Sequence, residues 1–298
     1  MEAERFTSDV TMIAEMILAS ANPLEHVVAH DLFKIGPVGV NNHMLMVTVA
    51  AVLMLVLFPI FVRRQEMVPR GVQNFFESIC VYMRDEVARP MLKEKTDNYI
   101  CLIWTVFFFI LFCNLLGMVP TNALVNLLSG GRYPDWGGAA TGDIYVTGAL
   151  AAVMFFVIHG AGILNKVRHH REKQSGIVAW FSGTWDYFAH IAPHIEGPIG
   201  VILFVPLMFL ESMSVLIKCV ALAIRLFANM IAGHLLVGVL LLFVAMGKTL
   251  FSGLTLAGVS VLGCVAVSAL DLFIAFLQAY IFAFLSAIFI SMAVYQEH

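Results

Sequence analysis

Six stretches of this chain carry no Asp, Glu, Lys or Arg: 35–62, 98–131, 144–165, 226–247, 249–270 and 272–296. Each exceeds the roughly 18–20 residues a helix needs to cross a bilayer. Lipid offers the backbone no hydrogen-bond partners, so such runs must be helices. The pattern predicts an all-α polytopic membrane protein. Composition agrees, because 12% of the 298 residues are charged, about half the roughly 25% of a soluble domain. A formal net charge of -3 leaves no basic excess for a phosphate backbone, which excludes nucleic acid as a partner.

The chain begins Met1-Glu-Ala-Glu-Arg5, and its first apolar stretch, Val10 to Leu18, is broken by Glu15. That start does not match a cleavable signal peptide. Cys80 falls in an amphipathic stretch and Cys101, Cys113, Cys219 and Cys264 in apolar runs, without disulfide or zinc spacing, so all five read as packing residues. Neither an HExxH nor a GxxxxGK[ST] pattern occurs. No metal and no cofactor are expected, and any nucleotide chemistry must belong to other chains.

Basic residues give the orientation. Seven lie between Arg63 and Lys95 and four more between Lys166 and Lys173, whereas the first 42 residues hold only Arg5 and Lys34 and 120–143 only Arg132. Positive-inside bias puts 63–95 and 166–173 in the cytoplasm. The expected order is a single membrane domain over 1–298. It has an outside N-terminal segment (1–42), a span (43–62), an interfacial helix (70–92), spans at 98–119 and 144–164, and a hairpin of two long arms (199–246 and 254–295) ending in the cytoplasm. The interfacial helix follows from Val72, Phe75, Phe76, Ile79, Met83 and Val87 at helical spacing, opposite Gln73, Asn74, Glu77, Arg84 and Asp85. Pro120, Gly130-Gly131, Pro134 and Gly137-Gly138 punctuate a loop on the outside.

The arms are long. At 1.5 Å per residue they measure roughly 70 and 60 Å, against a hydrocarbon core of roughly 30 Å. A break is expected at Gly247-Lys248 and Ser252-Gly253. Either each arm kinks or both lie strongly tilted against a partner. Glu211, Lys218 and Arg225 recur at intervals of seven, a drift of about 40° that keeps them on one face, which Asn229 joins. His234 lies nine positions past Arg225, a rotation of about 900° that puts it on the opposite side of the helix. Asp271 and Gln278 again share a face at an interval of seven. A charge at mid-bilayer costs about 2.5 to 3.5 kcal/mol on insertion scales, so this polar set lines water, faces a partner, or ties helices through Glu211–Lys218 and Arg225–Asp271 bridges. Arginine stays protonated. Arg225 therefore suits a fixed positive barrier rather than a relay.

The stretch Arg225-Leu-Phe-Ala-Asn-Met-Ile-Ala-Gly-His234, with Glu211 and Lys218 before it, Leu277-Gln278-Ala-Tyr-Ile-Phe282 after it and the ending Ser291-Met-Ala-Val-Tyr-Gln-Glu-His298, closely resembles subunit a of F-type ATP synthases. Cys113-Asn-Leu-Leu-Gly-Met-Val-Pro120 and Gly142-Asp-Ile-Tyr-Val-Thr147 extend the resemblance over most of the chain from about residue 100. Asn22-Pro-Leu-Glu-His26 and the span holding His43 fit more loosely.

The resemblance implies a stator, not an enzyme on its own. It rests on a ring of subunit c, is held by the subunit b peripheral stalk, and sits with the remainder of the synthase in the bilayer of a bacterial inner membrane. The motif arginine, here Arg225, faces the ring carboxylate and separates two aqueous half-channels. Gln278 corresponds to the family glutamine, Asn229 to the motif asparagine, Glu211 and Lys218 to upstream positions, and Asp143 to an acid at the outer end of the third span. His234 and Asp271 stand where many relatives have an acid and an imidazole the other way round. Tyr145 and Ala228 replace a family asparagine and glycine. The expected proton path uses Asp143, His234 and Asp271 on the outer side and Glu211 toward the cytoplasmic exit. The competing classes are a secondary cation/proton antiporter, for which no inverted repeat is visible, and a membrane scaffold.

Overall fold

The computed structural model describes residues 31–35, 38–62, 71–119, 121, 125, 129–130, 136–171, 176–191, 198–245 and 250–295. A short antiparallel hairpin, β1 (Asp31–Ile35) and β2 (Val38–Asn41), leads directly into α1 (Asn42–Val62). Then come α2 (Val72–Tyr82), a π-helical stretch (Met83–Ala88), α3 (Arg89–Leu92), a 3-10 turn (Lys93–Lys95) and α4 (Thr96–Met118). A second 3-10 turn (Ala140–Gly142) precedes α5 (Ile144–Arg171), α6 (Gly176–Ile191), α7 (Pro198–Ala245) and α8 (Leu250–Val294). Among the described residues, five helical runs are long and apolar enough to span a membrane. The fold is an all-α polytopic membrane protein with one small added hairpin.

Several details go beyond the sequence expectations. The hairpin β1–β2 and the whole of α6 were not anticipated, and α5 runs on to Arg171. Gly247-Lys248 lies outside the described residues, as do His26 and the segment 1–30. Ser252-Gly253, expected within the break, belongs to α8. A glycine in an apolar helix is held there because the lipid offers its amide and carbonyl no alternative partner. The π-helical stretch also has a local cause: Pro90 has no N–H to give to the carbonyl of Glu86, and the helix widens just before it.

The chain divides into two compact units, one of Met1–Val52, Leu111–Val146 and Leu226–Leu277, the other of Leu53–Ile110, Thr147–Arg225 and Gln278–His298. In the second unit Phe58, Phe76 and Phe108 form an aromatic knot, with Phe58 and Phe108 edge to face at 4.8 Å and Phe76 and Phe108 at 5.8 Å. Trp104 Nε1 donates to the Cys80 carbonyl at 3.0 Å, tying α4 to α2. Val87, Ala88 and Leu92 are buried while Val72 and Phe75 remain exposed, so the α2–α3 run is anchored at its C-terminal end.

That anchor is built at a strained corner. Lys93 has φ 43°, a region that side chains with a Cβ rarely occupy. Thr96 Oγ1 donates to the Lys93 carbonyl, Ser291 Oγ to that of Met91 and Tyr295 Oη to that of Leu92, each at 2.6 Å. Asn165 completes the lock by accepting from Lys95 Nζ and donating to the Val294 carbonyl, both at 3.1 Å. The end of α8 is thus fixed where α3 turns into α4.

Candidate functional site: a polar cavity and an exposed arginine

In the first unit, α4, α7 and α8 enclose a cavity of about 420 Å³. Its walls are mostly apolar, but Asn114, Thr121, Asn229, His234, Ser268 and Asp271 all reach it. Such a cluster inside a membrane helix bundle is costly unless it meets water or a partner. Gly233 permits the arrangement. A Cβ at that position would collide with Asp271 Oδ2 and come within 3.2 Å of Oδ1, so the carboxylate of α8 lies against the bare backbone of α7 one residue before His234. Gly117 plays a similar part on α4, since a Cβ there would meet the thioether of Met230, 3.0 Å from its sulfur.

The fourth wall is Gly138 and Ala139, part of a segment, 137–142, held by several hydrogen bonds. Asn42 Nδ2 donates to the Gly137 carbonyl at 2.9 Å, and the His43 ring Nδ1 to that of Ala139 at 2.7 Å. The Gly138 amide donates to Thr121 Oγ1 at 2.8 Å, and Thr141 Oγ1 to Asn114 Oδ1 at 3.2 Å. Gly138 has φ +145°, and a Cβ there would come 3.0 Å from Asn42 Nδ2. Only glycine fits this clamp.

The second unit holds the arginine. Arg225 is exposed on α7, in a patch with the exposed apolar residues Ile217, Val220 and Ile224. Its guanidinium makes no ion pair with a described residue. Gln278 is buried, and its Nε2 donates to the Arg225 main-chain carbonyl at 3.1 Å. Glu211 is half-buried and Lys218 exposed, with Lys218 Nζ 5.3 Å from the Phe289 ring centroid. Seven residues and roughly 10 Å apart along the helix axis, the two make no salt bridge to each other.

Asn229, His234 and Asp271 therefore share the cavity of the first unit, and Arg225 and Gln278 meet in the second. Asp143 is buried but does not line the cavity. Its Oδ1 accepts from the Tyr145 amide at 2.8 Å, the bond of an N-cap at the start of α5. Tyr145 itself is exposed. Asn114, Thr121 and Ser268 were not singled out from the sequence. For Asn114 a signal was available, an amide in the middle of the 98–131 uncharged run.

The described residues hold no cluster of three or more His, Cys, Asp or Glu placed to bind a metal ion. Residues 44–291 match the family model described as ATP synthase A chain. The chain is 34% identical to ATP synthase subunit a of Myxococcus xanthus (strain DK1622) over 87% of this chain and 74% of that one. It is 30% identical to ATP synthase subunit a of Pelodictyon phaeoclathratiforme (strain DSM 5477 / BU-1) over 91% and 74%, and 33% identical to that of Chloroherpeton thalassium (strain ATCC 35110 / GB-78) over 87% and 68%. With the match running from α1 to the last turn of α8, the chain belongs to the ATP synthase A chain family.

Proposed function

We propose that this chain is the proton-conducting stator subunit of an F-type ATP synthase, with one half-channel leading to the cavity of Asn229, His234 and Asp271 and the other leaving past Glu211. The observation that carries the reading is Arg225, a permanent cation on an exposed apolar face of a membrane helix without an ionic partner among the described residues. Such a charge calls for a carboxylate from outside the chain. A ring of c subunits offers one carboxylate after another at a sliding interface.

A proton taken up from the outside is passed through water held by the cavity's polar groups. An imidazole can both take and give a proton, the role this reading gives His234. The proton neutralises a ring carboxylate. Only the neutral form rotates into lipid, because an ionised one would lose its hydration. After almost a full turn the carboxyl reaches the exit half-channel, where Arg225 favours the ionised form and the proton leaves toward the cytoplasm. The potential contributes roughly 2.3 kcal/mol per charge per 100 mV, so the gradient sets the direction.

In this reading α7 and α8 lie tilted against the ring. At 48 and 45 residues they are roughly 70 Å long, and ordinary tilts of about 20° cannot fit them into a 30 Å core. Asp143 sits at the outer end of the path, the subunit b stalk holds the chain, and the N-terminus lies outside a bacterial inner membrane with the C-terminus in the cytoplasm. Affinity purification in mild detergent, with mass spectrometry, tests the assignment. A two-helix proteolipid and nucleotide-binding subunits are expected to accompany the chain. Purification alone or as a homodimer would instead favour the antiporter.

A further inference from the structure

The clamp on 137–142 leaves two groups without a described partner. The His43 side chain is 0% exposed, and its Nδ1 faces the Ala139 carbonyl at 2.7 Å. A carbonyl can only accept, so Nδ1 carries the hydrogen and Nε2 presents a lone pair in the neutral ring. Nε2 is buried and has no hydrogen-bond partner among the described residues. Asn114 on α4 repeats the pattern: it is 1% exposed, its Oδ1 accepts from Thr141, and its Nδ2 is buried without a described partner. Buried polar atoms are normally satisfied by protein or by ordered water.

The two orphans are related through the cavity wall. Asn114 lines the cavity directly, and so do Gly138 and Ala139. The His43 ring lies on that same segment, its Cε1 3.7 Å from a Cβ built at Gly138 and 3.6 Å from one built at Gly142. At both places the imidazole packs close against glycine backbone of this segment.

We propose that His43 is a further residue of the proton path, its Nε2 hydrogen-bonded to water continuous with the cavity of Asn114, His234 and Asp271. This rests on the reading of that cavity as the outer half-channel. Nε2 accepts a hydrogen bond or a proton from one water and returns the proton to the next, while Nδ1–H keeps the ring on the Ala139 carbonyl. Water thereby reaches through the 137–142 wall to the first turn of α1.

Two replacements separate this role from packing. In the assembled complex, His43→Asn keeps a donor near the Nδ1 position and removes Nε2, whereas His43→Gln keeps a polar group near Nε2 and gives up the Nδ1 bond. Passive proton flux through vesicles stripped of the soluble sector is expected to fall several-fold in His43→Asn and to be better retained in His43→Gln. Equal flux in His43→Asn and wild type, or the reverse order, would overturn the proposal. Should either variant fail to assemble, X-ray radiolytic footprinting of the wild-type complex gives an independent answer, because it labels buried side chains beside bound water. Labelling of His43 supports the proposal, and an unlabelled His43 rejects it. Asp271→Asn and His234→Ala run alongside. If these slow the flux and His43→Asn does not, only this inference falls; if neither slows it, the cavity is not the half-channel and both readings fall.

Discussion

The side-chain amide of Gln278 donates to the main-chain carbonyl of Arg225 at 3.1 Å, so α8 holds the backbone of α7 at the residue that carries its exposed cation. Its other amide atom, Oε1, is buried and has no partner among the described residues. Gln278→Leu removes the bond and is expected to cost about 0.5–1.5 kcal/mol. It should lower ATP-driven pumping without abolishing it, read as quenching of a pH-sensitive dye in inverted vesicles.

Arg225→Ala is a sharper test. On the stator reading it takes away the barrier between half-channels, so coupled pumping should vanish. Full coupled activity in this variant would end the stator reading.

His234→Ala and Asp271→Asn should slow proton uptake while leaving assembly intact, because both side chains reach the cavity rather than filling a dry core. Gly233→Ala should do more harm than its size suggests. Its Cβ would occupy the place of the Asp271 carboxylate, and overpacking of this kind costs typically 1–3 kcal/mol, roughly, where neighbours are constrained. Thermal melting of the purified complex measures the loss, and proton flux shows whether Asp271 has been displaced.

The packing of α5 against α6 in the second unit offers a control outside the residues assigned to the proton path. A Cβ at Gly162 would overlap the ring of Tyr187, whose hydroxyl pairs with His159 Nδ1 at 2.8 Å. Gly162→Ala should therefore melt earlier, again by about 1–3 kcal/mol of destabilisation. Burial raises the Tyr187 phenol above its ordinary value. Above about pH 10 the unfolded chain loses a proton that the folded one keeps, so stability contributed by this site falls as pH rises. Tyr187→Phe should remove that part of the alkaline loss, as seen by melting between neutral and strongly alkaline pH.

At the corner near Lys93, Tyr295→Phe leaves the ring beside Lys95 but removes the 2.6 Å bond to the Leu92 carbonyl. The expected cost is about 1 kcal/mol. Limited proteolysis of the C-terminal end should reveal it as faster cleavage.

The sequence by itself determined the fold class and the family. Uncharged runs longer than a bilayer is thick must become helices, since lipid satisfies no backbone group, and intervals of seven decide which polar residues share a helix face. The Arg225 motif, together with its flanking segments, is specific enough to carry the family. What periodicity cannot supply is which faces meet. Only the tertiary structure gathered Asn114 and Thr121 with His234 and Asp271 and turned Gln278 onto a carbonyl rather than a side chain. α6 escaped because its apolar run is cut by Asp186, whose carboxylate is met by Lys166 and His170 at 3.4 Å from α5. The physical reason is common to all of these. Spacing along a helix is local, whereas the partner of a polar atom depends on how closely distant segments approach, and around the cavity glycines at 117, 138 and 233 set that distance.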